Sequence, residues 1–333
     1  MRDLVRVLFI VALAGCTQQL SSSPAQLTAP PVPQSSGIRV DALSQKIYTV
    51  NNAANSITAY HATANGNVAP LATISGSSTL LNTPINIATD AYNGRLLVTN
   101  LGSNAITEYA KNANGNAAPV AVITCGGLNL PDGIALGSSQ PLGKESIYVA
   151  NLQANSISIF KRGATGCVRR AHGISGSSTQ LSRPAAVMIS GGVLYVGNIN
   201  SHSITEYPTS ARGNTPPTTV ISGGKTMLVN PVGLAVDSGQ NLYVADDSAQ
   251  AIFVFAAGAH GNVSPIRTIA GSMTGLNSPS GIVVTKSGSI VVTNPGASSV
   301  TSYPDAANGN VAPTTTLQGS ATGLSFPIGL VLR

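Results

Sequence analysis

An apolar run closed by Asn or Asp, followed by a second run reading Ser-Ile-Thr-x-Tyr, recurs six times in this 333-residue chain and constrains its fold. The two runs stand at 47–51 with 56–60, 96–100 with 105–109, and 147–151 with 156–160. They return at 194–198 with 203–207, 242–246 with 251–255, and 290–294 with 299–303. The aligned positions Ile57, Ile106, Ile157, Ile204, Ile252 and Val300 are 49, 51, 47, 48 and 48 residues apart. A unit this small cannot cover its own apolar faces and must stack on copies of itself. A period of about fifty residues with several short strands per unit is that of a propeller or solenoid.

Each unit carries four strand signals. The first follows a proline and is clearest at 231–237 (PVGLAVD), with cognates at 84–90, 131–136, 184–189, 279–284 and 327–332. Proline suits a strand's first residue, where no ladder hydrogen bond is lost. The fourth signal stands at 73–76, 122–124, 173–176, 220–223, 268–271 and 316–319. Between the third and fourth lie Asn65-Gly66, Asn114-Gly115 and Asn308-Gly309, with Arg212-Gly213 and His260-Gly261 in the same slot. Such pairs tolerate positive φ and read as turns. The Asn or Asp closing the second strand is expected to bond its own backbone two residues on. Eight residues lead to the next unit's proline from Gly76, Gly176, Gly223, Gly271 and Gly319, but fewer from Gly126 to Pro131. Four antiparallel strands repeated six times, without helical periodicity, predict an all-β fold, a six-bladed β-propeller of four-stranded antiparallel blades. Residues 37–41 and 329–333 both match the first-strand signature, so a seam locking both chain ends is expected.

The P-x-G-I-A-V-D, L-Y-V-A-D and S-I-T-x-Y elements resemble the NHL-repeat family. Residues 97–100 (LVTN) and 291–294 (VVTN) resemble the YVTN propeller repeats of bacterial surface proteins. The resemblance covers residues 37–333 and implies the propeller; the family hosts enzymes and binding scaffolds alike.

The N-terminus reads as a leader. Arg2 and Arg6 precede a short apolar core at 7–13, which closes with Leu13-Ala14-Gly15-Cys16. This resembles the bacterial lipoprotein box and implies a signal peptide at 1–15 and acylation of Cys16. An ordinary secretory signal is the alternative. Thr17, where Asp would mark inner-membrane retention, resembles the outer-membrane sorting pattern. Residues 16–36, rich in Ser, Pro and Gln, read as a tether from the lipidated Cys to the propeller at 37–333.

Chemistry is sparse. Charged residues are 8% and Trp is absent. The x positions of P-x-G, expected at the channel mouth, are Ile85, Asp132, Ala185, Val232, Ser280 and Ile328, of which only Asp132 and Ser280 are polar. A hard cation needs several oxygen ligands, so neither a metal nor another cofactor is expected. Asp41, Asp90 and Asp237 recur at the far ends of first strands and read as turn residues. His61, His172, His202 and His260 are expected in solvent-facing places. Glu108 and Glu206 share a third-strand slot that reads as an exposed face. No nucleophile elbow, zinc spacing or phosphate loop is present in the sequence.

Unit three is irregular. Residues 144–184 hold six cations (Lys144, Lys161, Arg162, Arg169, Arg170 and Arg183) and one anion, Glu145. That excess equals the net charge of +5 of the chain from Cys16 onward. Lys161, Arg162, Arg169, Arg170 and Arg183 form either a solvated basic loop or a docking patch for lipid headgroups, acidic polysaccharide or an acidic protein. Nucleic acid is not expected without interleaved aromatics. Cys125 and Cys167 fall in two adjacent departures from consensus, and an oxidising compartment would let them pair. The expected function is a monomeric, membrane-anchored binding or scaffolding module. A lactonase-like hydrolase or lyase at the channel mouth and an adhesive surface protein are the alternatives.

Overall fold

The computed structural model describes residues 45–139 and 144–333, and among them six four-stranded antiparallel sheets close into a ring, a β-propeller. The expected leader at 1–15, Cys16, the 17–36 segment and Asp41 lie outside the described residues. Blade 5 shows the unit: inner strand Pro231–Val236, second Leu242–Asp246, third Ala251–Phe255 and outer Arg267–Ala270. Blades 2, 3, 4 and 6 start from the inner strands Pro84–Asp90, Pro131–Ser139, Pro184–Ser190 and Ile282–Val284. Blade 1 joins distant parts of the chain. Its inner strand is the C-terminal Pro327–Leu332, paired with Lys46–Asn51, which leads on to Ser56–His61 and Ala72–Ile74. The competing stretch 37–41 lies outside the described residues.

Second and third strands are buried on both faces because a neighbouring blade covers each. Blade 5 sets Tyr243, Ile252 and Val254 against Ile282, Ile290, Val292 and Tyr303 of blade 6. Each such side chain contributes about 1.5–3 kcal/mol on burial, so a blade without its neighbours would leave two such apolar faces in water. Blades therefore do not stand alone.

The P-x-G glycines have a steric cause. A Cβ on Gly233 would lie 1.9 Å from the Ser280 carbonyl oxygen of the next inner strand, and one on Gly133 2.4 Å from that of Ala185. Glycine lets neighbouring inner strands approach until they enclose an apolar channel of about 300 Å³, lined by Ile87, Ile134, Val187, Leu234, Ile282 and Leu330.

The Asn that closes five of the six second strands, with Asp246 in blade 5, does more than cap it. Asn100 is fully buried; its Oδ1 accepts from the Asn82 amide of the preceding link, and its Nδ2 donates to the Thr107 hydroxyl of the third strand. Asn51, Asn198 and Asn294 repeat both bonds, and Asn151 does so with Ser158 in place of Thr. A bond to the residue's own strand two positions back occurs at Asn100, Asn151 and Asn198 but is secondary. The interior of a stacked blade excludes water, so the link's amides need this fixed acceptor.

A second device runs around the rim. Each loop between third and outer strands reaches back to the outer strand of the preceding blade, making six parallel bridges such as Ile74 with Gly115 and Ile123 with Gly166. In five of the six, an Asn following the loop glycine (Asn67, Asn116, Asn214, Asn262 or Asn310) accepts a backbone amide of the preceding blade's link. The sixth position is Cys167, joined by a disulfide to Cys125 of blade 2. A covalent clasp stands where the other interfaces have a hydrogen bond.

Candidate functional sites at the channel mouth and on blade three

The inner strands begin at one end of the channel, and their proximity brings Asp132 of blade 3 and Ser280 of blade 6 into one recess of about 200 Å³. Asn86 and Asp247 also line it, with Ile85, Val232, Ile328 and Phe326 as apolar wall. Burial pushes the Asp132 carboxyl up to about 7, and the Arg183 cation pulls the other way. A carboxyl enclosed by apolar side chains loses hydration that one nearby cation only partly replaces. Asp247 is engaged by the Asn230 amide and the Ser248 hydroxyl. Among the described residues no group of three or more His, Cys, Asp or Glu is placed to hold a metal. The recess offers one carboxyl that exchanges a proton near neutrality beside a buried hydroxyl. Asn86 and Asp247 were missed in the sequence because neither follows the proline.

The four histidines are exposed and scattered over blades 1, 3, 4 and 5. Glu108 corrects an expectation: it is 7% exposed rather than on an open face, and accepts from Arg95 at 3.1 Å. Glu206, in the same slot, is half-buried, and burial pushes its carboxyl up. The third strand lies between two strands of its own sheet and under the next blade, so its alternate face is not solvent. Asp90 and Asp237 hold turns: Asp90 accepts from the Tyr92 amide, and Asp237 from the Asn241 amides and the Tyr243 hydroxyl.

The basic residues of blade 3 separate into three places. Arg162 reaches across to blade 2, its Nε 2.6 Å from Asp90 Oδ2 and its guanidinium 4.3 Å from the Tyr92 ring centre. The Asp90 side chain is only 2% exposed, so this pair is an interblade clamp. Lys161, next to it, is exposed. Arg183 stands on the channel-mouth side, its amide donating to Asn155 Oδ1. Arg169 and Arg170 line an open hollow of about 820 Å³ together with His172, Gly126 and Gly127. Among the described residues neither arginine has a carboxylate partner.

The hollow comes from the short link. Elsewhere the link makes a turn ending in a buried Thr (Thr79, Thr179, Thr226, Thr274 or Thr322), whose hydroxyl donates to the carbonyl of the Gly three residues before it. On four of these turns a third-strand tyrosine hydroxyl (Tyr60, Tyr109, Tyr207 or Tyr303) donates to the Thr carbonyl. The link from Gly126 to Pro131 lacks the turn, and the residue facing it is Phe160, which has no hydroxyl to satisfy.

No family model and no curated protein matches the sequence. Solved structures match in fold. A protein of unknown function from Bacteroides caccae superposes with TM-score 0.59 at 8% identity, over 86% of this chain and 98% of that one. A chain of the nidogen/laminin complex gives 0.57 at 14% identity, over 86% and 98%. A streptogramin B lyase gives 0.51 at 16% identity, over 86% and 92%. The likeness is one of six-bladed architecture, shared by catalytic and binding proteins.

Proposed function

We propose that this chain is an exported, lipid-anchored propeller of NHL or YVTN type that binds an anionic component of the bacterial envelope on its third blade. The observation that carries the reading is the position of Arg169 and Arg170, without acidic partners among the described residues, beside the hollow of the shortened link. Cations left unpaired there attract an anionic surface, and the attraction weakens as salt screens it. The leader supports export and Cys16 supports the anchor. The test is retention of the chain on vesicles containing an anionic phospholipid, and on an acidic polysaccharide, at low and high salt. Lys161→Ser with Arg169→Ser and Arg170→Ser should remove the salt-sensitive retention, and unchanged retention would discard the reading. Arg162 is left in place because it clamps Asp90. Separately, Cys16→Ser should release the chain from the membrane fraction.

A second reading has its own support. Asp132, held up to about 7 beside Ser280, has the protonation behaviour of a general acid or base. A lyase or lactonase using it would lose turnover in Asp132→Asn across the whole pH range. Absence of turnover by the unaltered chain on a lactone and a streptogramin B panel would remove this reading.

A further inference from the structure

Resting on the blade-three reading, we infer that the hollow is a site for a single phosphate monoester group. Three residues fewer in the link remove the turn that plugs the other five links, and Gly126 and Gly127, at φ 81° and 82°, carry the chain across by the shorter path. The vacated space is lined by two guanidinium groups and an imidazole and by no carboxylate. Arg170 lies along the glycine floor. A Cβ on Gly127 would stand 3.3 Å from its Nη1, and one on Gly173 would stand 2.9 Å from its Cζ. Both glycines therefore leave room for a half-buried guanidinium that has no hydrogen-bond acceptor among the described residues.

A guanidinium has five donors in a rigid fork. In an open hollow water meets these donors, and an oxyanion with two oxygens in one plane can replace that water with a paired, charge-assisted contact. Two arginines lining one hollow, Arg169 exposed and Arg170 half-buried, suit a doubly charged phosphate better than a singly charged carboxylate. The hollow is far larger than the anion, and Asn129 and Ser175 offer amide and hydroxyl groups to the rest of a polar molecule. The Cys125–Cys167 disulfide fixes the loop that carries both arginines to the link that forms the floor.

The experiment is calorimetric titration of the full chain with inorganic phosphate, and with acetate at matched ionic strength. Saturable phosphate binding, tighter than acetate and weakened about tenfold or more in Arg170→Ser, is the expected result. A second variant replaces residues 126–130 by the 176–183 segment together with Cys125→Ser and Cys167→Asn, restoring the common turn and its Asn clasp. Phosphate binding should vanish in it. Arg170→Ser leaves the link untouched, so it decides the matter if the refilled link does not fold. Equal affinity in Arg170→Ser, or acetate binding as tightly as phosphate, would overturn the inference. Absence of phosphate binding with vesicle retention intact would overturn the hollow and leave the docking reading standing. Loss of both would remove both.

Discussion

Asp132 and Gly233 show how much rests on single side chains. The Asp132 carboxyl is held up to about 7 by burial, whereas an unfolded Asp ionises near 4. The neutral form is favoured in the fold, so Asp132 costs nothing below about pH 4 and destabilises increasingly as pH rises toward 7. Asp132→Asn should therefore raise stability by up to about 4 kcal/mol at pH 8 and change little at pH 3.5, read as denaturant midpoints at both values. An equal effect at both pH values would contradict the assignment. Gly233→Ala would force a methyl to within 1.9 Å of the Ser280 carbonyl oxygen. It should destabilise by about 2–4 kcal/mol, whereas Gly66→Ala, with open space around it, is limited to the strain of its positive φ. The P-x-G pattern was legible in sequence, but its cause was not, because the carbonyl that forbids a side chain belongs to a residue nearly fifty positions on.

Among the elements, the rim loops carry the lesson. Asn-Gly makes a turn, as its residues dictate, but the following Asn serves the interface with the preceding blade. Asn262→Ala removes an acceptor from the Lys225 amide and should cost about 1 kcal/mol, seen as a small fall in melting temperature. The blade 2–3 interface has a disulfide in that place. Reducing it, or introducing Cys125→Ser with Cys167→Ser, should cost about 2–4 kcal/mol, and Cys125→Ser with Cys167→Asn should not recover the loss, since the link has no turn to be clasped. Full recovery by Asn would show that the clasp, rather than the short link, governs this interface. The shortened link and the two cysteines were both visible in sequence; that they describe one altered interface with a hollow beside it became visible only when the rim was assembled.

The described residues form a ring closed by the last strand. Pro327–Leu332 pairs with Lys46–Asn51 and covers the inner edge of blade 1. Deleting 327–333 should open the ring, giving a broad unfolding transition and binding of a hydrophobic dye; a sharp, native-like melt would contradict closure by this strand. The ring also has an alkaline limit. Burial pushes the Tyr60, Tyr109, Tyr207 and Tyr303 hydroxyls up to about 12. An unfolded tyrosine ionises near 10. The neutral form these four retain stabilises the fold fully below about pH 10, and that contribution is lost as pH rises through about 12. Alkaline unfolding between those values, followed by tyrosinate absorbance, should coincide with loss of the β signal. Separate transitions would place the tyrosines outside the interfaces.

Local pattern was enough for the blade, its four strands, their order and their number of repeats, because each strand's apolar pattern and each turn's residues act over a few positions. It also marked the irregular third unit, through its charge and its short link. Tertiary structure alone decided which cations are free and which are paired, since Arg162 meets Asp90 across 72 positions. It alone decided that Glu108 is covered, that Asp132 sits in an apolar recess, and that the final strand closes the ring. Each of these depends on which groups share a space from which water is excluded, and that sharing follows from the ring rather than from neighbours in the chain.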